Sequence, residues 1–173
     1  MIECVRRIQF AAGHRVLNHE SRCKYPHGHN YVVYFHARAK AGQDHLDSIG
    51  RVIDFGVLKQ RLGEWIDVHW DHGFLFWERD AEIRRRALAS ERWIAVPFNP
   101  TAENIARYLL EEVAPRQLIG TGVEIWKVRV EETENCSATA TLEGRNAVDT
   151  TGRTEAHEEG ELAEATADVG ARS

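Results

Sequence analysis

Alternating hydrophobic and polar residues predict four β-strands along the chain. The clearest pattern lies in residues 29–39, where every second side chain from position 31 onward is apolar and is expected to face the core. Residues 122–132 alternate in a similar way and are expected to place Trp126 and Glu132 on one side of the strand. The remaining two strands are predicted at residues 6–10 and 139–142.

Apolar residues at helical spacing predict two firm helices between these strands. Asp54 suits the N-cap of the first helix, and an apolar stripe follows it. The second helix is expected to begin near Thr101, directly after a proline. Two weaker elements are a polar, arginine-rich helical stretch at residues 80–90 and a short strand or extended link at residues 93–96.

The order of these elements predicts an α+β fold in one domain. Two strands, a set of helices and two further strands suit an antiparallel sheet that helices cover on one face. The 173 residues are enough for one domain with a substantial hydrophobic core. We assign that domain to residues 1–143 and treat residues 144–173 as a separate tail.

The tail carries most of the negative charge of the chain. Residues 144–173 contain three arginines and seven acidic residues, a charge of −4, and the whole chain has a formal charge of −5. Residues 1–143 therefore carry only −1, which gives no electrostatic reason to expect a nucleic acid or an anionic membrane as partner. The tail also lacks aromatic residues, so we expect it to be disordered.

The chain shows no pattern typical of export or of membrane insertion. No apolar run approaches the roughly 18 residues that a membrane-spanning helix needs. Residues 1–7 lack the basic and then apolar pattern of a secretory signal. Three widely spaced cysteines do not suggest a disulfide framework. We therefore expect a cytoplasmic protein.

Three histidines near the first two strands are the densest chemical feature of the sequence. His27 and His29 form a His-x-His pair at the start of a strand, which places both imidazoles on one face. His14 follows the first strand and supplies a third nitrogen if the two strands pair. Three histidines with one open position are typical of catalytic zinc, although a His-x-His pair alone is more often two surface histidines. Nickel, copper and iron also accept imidazole ligands.

Three further places along the chain offer acid–base groups. Cys23 is, on its residue type alone, a fourth metal ligand, an inert buried thiol or a catalytic base. Asp71 and His72 form an acid–base pair only if a turn brings them together, which Gly73 allows, and an isolated Asp-His dipeptide is more often structural. Glu132 binds a ligand with two adjacent N–H groups or, more simply, reaches solvent at the end of its strand.

Six motifs occur in the order that is typical of one known family. In chain order they are Phe10-x-Ala12-x-His14, Cys23-x-x-x-His27-Gly28-His29-Asn30-Tyr31, Val52-Ile53-Asp54-Phe55-x-x-Leu58-Lys59, Asp71-His72, Pro100-Thr101-Ala102-Glu103-Asn104 and Glu132-Thr133. From about Val5 to Glu143 the chain closely resembles the 6-pyruvoyl-tetrahydropterin synthase superfamily. Within it, the chain is most similar to the bacterial 6-carboxy-5,6,7,8-tetrahydropterin synthases.

The resemblance implies a fold, an assembly and a set of functional residues. The fold is the tunnelling fold, a four-stranded antiparallel sheet with two helices on one face. Its protomers join their sheets into a ring, commonly a hexamer, with active sites between subunits. The implied roles are zinc ligand for His14, His27 and His29, catalytic residue for Cys23, Asp71 and His72, and pterin anchor for Glu132.

The resemblance also implies a reaction. A zinc-dependent lyase of this type converts 7,8-dihydroneopterin triphosphate to 6-carboxy-5,6,7,8-tetrahydropterin and releases acetaldehyde and triphosphate. The product feeds the 7-deazaguanine route to queuosine. Alternatives are a 6-pyruvoyl-tetrahydropterin synthase acting on the same substrate, a three-histidine zinc hydrolase and a non-catalytic pterin-binding module.

Two features near the expected site have no assigned role. The segment from Trp77 to Phe98 is longer than in compact members of the superfamily, and we expect it to affect the rim of the site or the contacts between subunits. Arg15, Arg22 and Lys24 lie close to the histidines in sequence and are candidates for contact with the triphosphate.

Overall fold

A computed structural model of the protein describes residues 1–42, 46–87 and 92–142. Its strands are β1 (Cys4–His14), β2 (His27–Ala39), β3 (Gly73–Trp77), β4 (Trp93–Val96), β5 (Val123–Thr133) and β6 (Cys136–Thr141). Helix α1 consists of Phe55–Leu58, a π-type segment Lys59–Gly63 and Glu64–His69, and α2 is Ala81–Ala87. Helix α3 consists of Ala102–Tyr108, a π-type segment Leu109–Val113 and Ala114–Gln117. The tail predicted at residues 144–173 lies outside the described residues.

The strands form one mixed sheet in the order β4-β3-β1-β2-β5-β6. The pairs β1–β2, β2–β5 and β5–β6 are antiparallel, whereas β3 runs parallel to β1, and β4 runs parallel to β3. The α+β class is confirmed. The prediction of a four-stranded antiparallel sheet is wrong. It accounts for β1, β2, β5 and β6, but it misses β3 and β4, which add two parallel pairings to the sheet.

The two additional strands, β3 and β4, lie between α1 and α3. β3 ends where the long segment Trp77–Phe98 begins, and β4 lies within that segment. β3 is a short apolar run without alternation, so periodicity did not separate it from a turn. It pairs with β1 only through Ala12, Gly13 and His14. A Cβ atom at Gly13 would lie 2.5 Å from a ring carbon of Phe74, so glycine permits the close approach of β3. Helix α2 then crosses to β4, the parallel neighbour of β3.

One face of the sheet is buried under the helices. The side chains of Tyr31, Val33, Phe35 and Ala37, predicted to share the inner face of β2, are all fully buried. Apolar residues of α1 and α3 belong to the same core cluster. The predicted N-cap Asp54 is confirmed, since its carboxylate accepts a hydrogen bond from Gly56 N at 2.6 Å. The predicted start of the second helix near Thr101 is also confirmed, and the Thr101 hydroxyl caps it by accepting a hydrogen bond from Asn104 N at 3.3 Å.

A β-bulge corrects the expected orientation of Trp126. The register between β2 and β5 shifts between His36 and Ala37, so the strict alternation along β5 is broken there. The indole of Trp126 consequently lies against His36 and donates a hydrogen bond to Glu3 at 2.6 Å. The prediction that Trp126 and Glu132 share a face is therefore wrong.

Within the described ranges, no helix is long and apolar enough to span a membrane.

Candidate active site

Three imidazoles converge where β1 and β2 meet. His14 and His27 are directly paired across the two antiparallel strands, and their ring centroids are 4.4 Å apart. His29 lies two residues further along the same face, opposite the small side chain of Ala12, with its ring 5.1 Å from His14 and 5.0 Å from His27. One nitrogen of each histidine lies within 4.8 Å of the others. The predicted clustering of the three histidines is confirmed, and its spacing suits a single metal ion.

Backbone carbonyl groups orient two of these rings. The Nδ1 atoms of His14 and His27 each lie 2.7 Å from a carbonyl oxygen, that of Pro100 and that of Tyr25. A carbonyl can only accept, so each Nδ1 must carry the proton and each neutral ring keeps its lone pair on Nε2. The Nε2 atom of His14 is buried and has no hydrogen-bond partner. In metal sites, a hydrogen bond at one ring nitrogen of a histidine commonly fixes the orientation of the ring and leaves the other nitrogen free to bind the metal.

Burial keeps these imidazoles in the form that binds metals. It lowers the pKa of His14 to about 4, and the nearby positive charges of protonated His27 and His29 act in the same direction. Burial also lowers the pKa of His29, with a smaller contribution from His27. Both rings are therefore neutral at physiological pH, as metal ligation requires.

We expect the metal-free protein to lose stability as the pH falls from about 6.5 to about 4. His14 becomes protonated near the upper value in the unfolded chain and near the lower value in the folded one, so the unfolded state binds more protons in this window. Urea unfolding at a series of pH values after chelator treatment measures the effect. The His14→Gln variant should show a smaller pH dependence, and an equal dependence in both proteins would contradict the low pKa of His14.

Glu132 faces the histidines. Its Oε1 atom lies 3.9 Å from Nε2 of His14, and its side chain is only 23% exposed. Burial raises its pKa, and the negative charge of Glu103 adds to the effect, whereas His27 opposes it. Glu132 is therefore half-buried and faces His14, which favours the ligand-binding interpretation over the simpler one, in which it reaches solvent at the end of its strand. Its carboxylate is placed to accept hydrogen bonds from a ligand beside the histidines.

Cys23 lies in the short 3₁₀ turn Arg22–Lys24 and is half-buried. The backbone of this turn is tied to the end of β1, because Val16 N donates to the Cys23 carbonyl oxygen at 2.8 Å. Among the described residues, the metal-binding group contains the three histidines without Cys23. The structure therefore does not favour Cys23 as a fourth ligand, and the inert thiol and the catalytic base remain the alternatives.

Asp71 and His72 form the predicted pair although they are adjacent in sequence. His72 has a left-handed backbone (φ 56°), which turns its ring so that Nδ1 donates to the Asp71 carboxylate at 2.6 Å. The other carboxylate oxygen accepts from Ala11 N at 2.9 Å. Burial opposes ionisation of Asp71, but the hydrogen bonds from Ala11 and His72 outweigh it and lower its pKa. Asp71 is therefore an anion that orients a neighbouring imidazole.

This pair makes no direct contact with the other candidates within one chain. The His72 side chain is 79% exposed and lies beside an open cavity of about 400 Å³, which His29 also lines. Gly13, Gly28 and Asn30 belong to the same lining and alternate with the inward-facing histidines along β1 and β2, so these three residues lie on the outer face of the sheet. In the described part of the chain, no hydrogen bond, ion pair or ring contact joins His72 to Cys23 or to the histidine cluster.

Arg15 is occupied by the protein itself. Its guanidinium donates to both carboxylate oxygens of Asp80, at 2.5 and 2.7 Å, and to Glu82 at 3.0 Å. Arg15 and Asp80 are both buried. Arg15 therefore holds the long segment Trp77–Phe98 against the end of β1, next to His14. Of the three suggested triphosphate contacts, the exposed Arg22 and Lys24 remain candidates.

Replacing Asp80 with alanine should lower the free energy of unfolding by about 3 kcal/mol, because it leaves the buried guanidinium of Arg15 without its main counter-charge. Denaturant unfolding measures the change. The matched control is Glu82→Ala, which removes a half-exposed partner of the same guanidinium and should lower stability by less than about 1 kcal/mol. Equal losses in the two variants would contradict the assignment of the main contact to Asp80.

Several residues that shape the site were missed by the sequence analysis. The carbonyl group of Pro100 holds His14, and no sequence signal identifies a backbone acceptor. The side-chain amide of Asn99 accepts a hydrogen bond from Leu17 N at 2.8 Å and donates one to Leu17 O at 2.9 Å. These two hydrogen bonds fix the loop that follows β1. Tyr31 was predicted only as a core residue, although its ring contacts two of the three histidines.

Comparison with known sequences gives a consistent set of relatives. The family model described as 6-pyruvoyl tetrahydropterin synthase matches residues 3–143. The 6-carboxy-5,6,7,8-tetrahydropterin synthases of Rickettsia felis and Rickettsia typhi are 36% and 37% identical over 138 residues, which are 79% of this chain and 97% of each relative. The protein of the same name from Helicobacter pylori is 30% identical over 142 residues, 76% of this chain and 68% of the relative.

Solved structures share the fold at lower sequence identity. An uncharacterized protein from Wolinella succinogenes has a TM-score of 0.65 at 23% identity, with 82% of this chain and 98% of that chain covered. The 6-pyruvoyl tetrahydropterin synthase of Caenorhabditis elegans has a TM-score of 0.56 at 24% identity, with 81% and 94% covered. At these identities the similarity supports the fold alone.

Proposed function

Because the chain belongs to the 6-pyruvoyl tetrahydropterin synthase family, we propose that it converts 7,8-dihydroneopterin triphosphate to 6-carboxy-5,6,7,8-tetrahydropterin, with release of acetaldehyde and triphosphate. The product would serve the 7-deazaguanine route to queuosine. The observation that carries the proposal is the convergence of three histidines with a half-buried carboxylate 3.9 Å from one of them. This arrangement provides a metal site and a hydrogen-bond acceptor within one cleft.

The residues present fit a zinc ion. His14, His27 and His29 would hold it through one nitrogen each, and the buried, unpartnered Nε2 of His14 is otherwise difficult to explain. Three histidine ligands leave a position open for substrate. When bound there, zinc acts as a Lewis acid that makes hydroxyl and neighbouring C–H protons of a ligand easier to remove.

The protein groups around this position supply binding and proton transfer. Glu132 would accept two hydrogen bonds from the aminopyrimidinone edge of the pterin and so fix the ring. Cys23, on the turn next to β1, would accept a proton from the substrate side chain as a thiolate. His72, oriented by ionised Asp71, would donate or accept a further proton.

We propose that a second copy of the chain completes the site. His72 lies on the outer face of the sheet and is mostly exposed, so it is available to a neighbour rather than to Cys23 of its own chain. Within the described residues, three stretches of sheet edge lack a strand partner, namely β4, β6 and residues 4–11 of β1. Unpaired edges of this kind favour pairing between chains. A ring of such chains, with a hexamer as the expected assembly, agrees with this geometry.

We also propose domain bounds and a cellular compartment for the enzyme. We assign the catalytic domain to residues 1–143 and give the tail at residues 144–173 no catalytic role. The near-neutral charge of the domain supports a small-molecule substrate in the cytoplasm rather than a nucleic-acid or membrane partner.

The Glu132→Gln variant should raise the KM for 7,8-dihydroneopterin triphosphate by about tenfold to a hundredfold, because a neutral amide cannot accept two hydrogen bonds in the way a carboxylate does. Steady-state kinetics with zinc-loaded protein measures the change. The matched control is Glu131→Gln on the outer face of the same strand, where the carboxylate pairs with Arg129 at 2.9 Å. A KM for Glu132→Gln within twofold of the wild-type value would refute the anchoring role.

The second candidate function is 6-pyruvoyl-tetrahydropterin synthesis from the same substrate. It is favoured by the name of the matching family model. Trapping acetaldehyde with alcohol dehydrogenase and NADH separates the two reactions. Triphosphate release without acetaldehyde would favour the pyruvoyl-forming enzyme and reject the carboxy-forming one.

A further inference from the structure

The Tyr31 hydroxyl is a buried donor without a partner. Tyr31 is fully buried on the inner face of β2, and its hydroxyl makes no hydrogen bond among the described residues. Buried polar groups in folded proteins are nearly always hydrogen-bonded, so each exception calls for a specific reason. Phenylalanine would fill the same space without burying an unpaired hydroxyl.

The ring of Tyr31 packs against two of the three proposed metal ligands and against Phe10. It stacks on Phe10 with 5.1 Å between the ring centroids. The rings of His14 and His29 lie at 5.8 and 5.5 Å in edge-to-face contact. Because three rings contact it and its side chain is fully buried, the Tyr31 phenol has little freedom to rotate away from the histidines to find a partner.

Two of the groups proposed to handle the substrate, Glu132 and Cys23, act electrostatically on the Tyr31 phenol. Burial, followed by the negative charges of Glu132 and Cys23, raises the pKa of Tyr31. The phenol is therefore a neutral donor that shares its surroundings with the proposed pterin anchor and the proposed base. Neither of these two groups accepts a hydrogen bond from it in the described structure.

We propose that the Tyr31 hydroxyl is a substrate-binding group, which donates a hydrogen bond to an acceptor atom of the bound pterin. The inference rests on the proposed function, since it takes the pterin triphosphate as the ligand. The hydroxyl has no partner among the described residues and becomes paired when substrate binds beside the histidines and Glu132. No change in the protonation of Tyr31 is involved.

The test compares the zinc-loaded Tyr31→Phe variant with wild-type protein and with Tyr34→Phe, a control that makes the same change on the outer face of the same strand. For Tyr31→Phe we expect kcat/KM to fall about tenfold, mainly through KM, because an acceptor of the substrate loses its donor. The melting temperature without substrate should be unchanged or higher, and the zinc content should stay at the wild-type value. Tyr34→Phe should keep wild-type kinetics.

A melting temperature that drops clearly in Tyr31→Phe would overturn the inference, because it would indicate a partner within the protein. A kcat/KM within twofold of wild type would also overturn it. The dissociation constant for 7,8-dihydroneopterin triphosphate separates this inference from the proposed reaction. If wild-type protein binds this compound but makes a different product, weaker binding by Tyr31→Phe still supports the hydrogen bond. If wild-type protein does not bind it, both proposals fail.

Discussion

Replacing His14 with alanine is expected to remove the bound zinc and to lower turnover by about a thousandfold, since zinc as a Lewis acid contributes several kcal/mol to the stability of the transition state. His14 is the most deeply buried of the three proposed ligands, at 1% exposure. Its Nδ1 is fixed by Pro100, so its Nε2 is held in place before any metal arrives. Loss of this ring leaves two half-buried histidines and a gap that water fills.

Elemental analysis of the purified variant, together with its steady-state rate, measures both effects. His69→Ala is a suitable control, because His69 is exposed and its ring stacks on Trp65 at 4.6 Å rather than joining the cluster. His27→Ala provides a second ligand variant if His14→Ala folds poorly. Retention of one zinc per chain in both ligand variants would contradict the assignment of the metal centre.

Replacing Cys23 with alanine should lower turnover at least about a hundredfold while the zinc content stays unchanged. A positioned general base contributes roughly 10²–10⁴-fold to a rate. The three histidines that would hold the metal form a group without Cys23, so we expect ligation not to depend on the thiol. The variant therefore separates the loss of a proton acceptor from the loss of the metal.

Cys4 and Cys136 offer matched controls, because both are free cysteines outside the site. Cys136→Ala should retain the wild-type rate, and Cys4→Ala should do so if it folds normally. A zinc hydrolase that uses a metal-bound hydroxide needs no thiol, so wild-type activity in Cys23→Ala would favour that class and reject the lyase mechanism. A non-catalytic zinc module predicts instead that chelation unfolds the chain and that the substitutions at Asp71 and His72 have no measurable effect.

Strand periodicity was enough to predict the clustering of the three histidines. His27 and His29 must share a face on any regular strand, and the inward position of Tyr31 on the same strand fixes which face that is. Pairing of β1 with β2 then brings His14 opposite His27. These features follow from a period of two residues and from the order of the elements, so the sequence alone was sufficient.

Other features depend on tertiary contacts that leave no local pattern. β3 and β4 are short apolar runs whose parallel pairing cannot be inferred from alternation. The bulge that redirects Trp126 is a property of two paired strands rather than of one. The ion pair between Arg15 and Asp80 joins residues that are 65 positions apart. For each of these, the missing information was which distant segments meet in the fold.

The separation of Asp71 and His72 from Cys23 was not predicted, although the resemblance implies sites between subunits. A single chain cannot indicate which neighbour supplies a missing group. The exposed position of His72 on the outer face of the sheet is the structural feature that makes a shared site the simplest explanation.

The most direct test of this account is a product analysis of one reaction. Zinc-loaded protein is incubated with 7,8-dihydroneopterin triphosphate, and the pterin product and acetaldehyde are quantified in the same sample. The account predicts 6-carboxy-5,6,7,8-tetrahydropterin and acetaldehyde in equal amounts. A 6-pyruvoyl product without acetaldehyde, or no turnover at one zinc per chain, would contradict it.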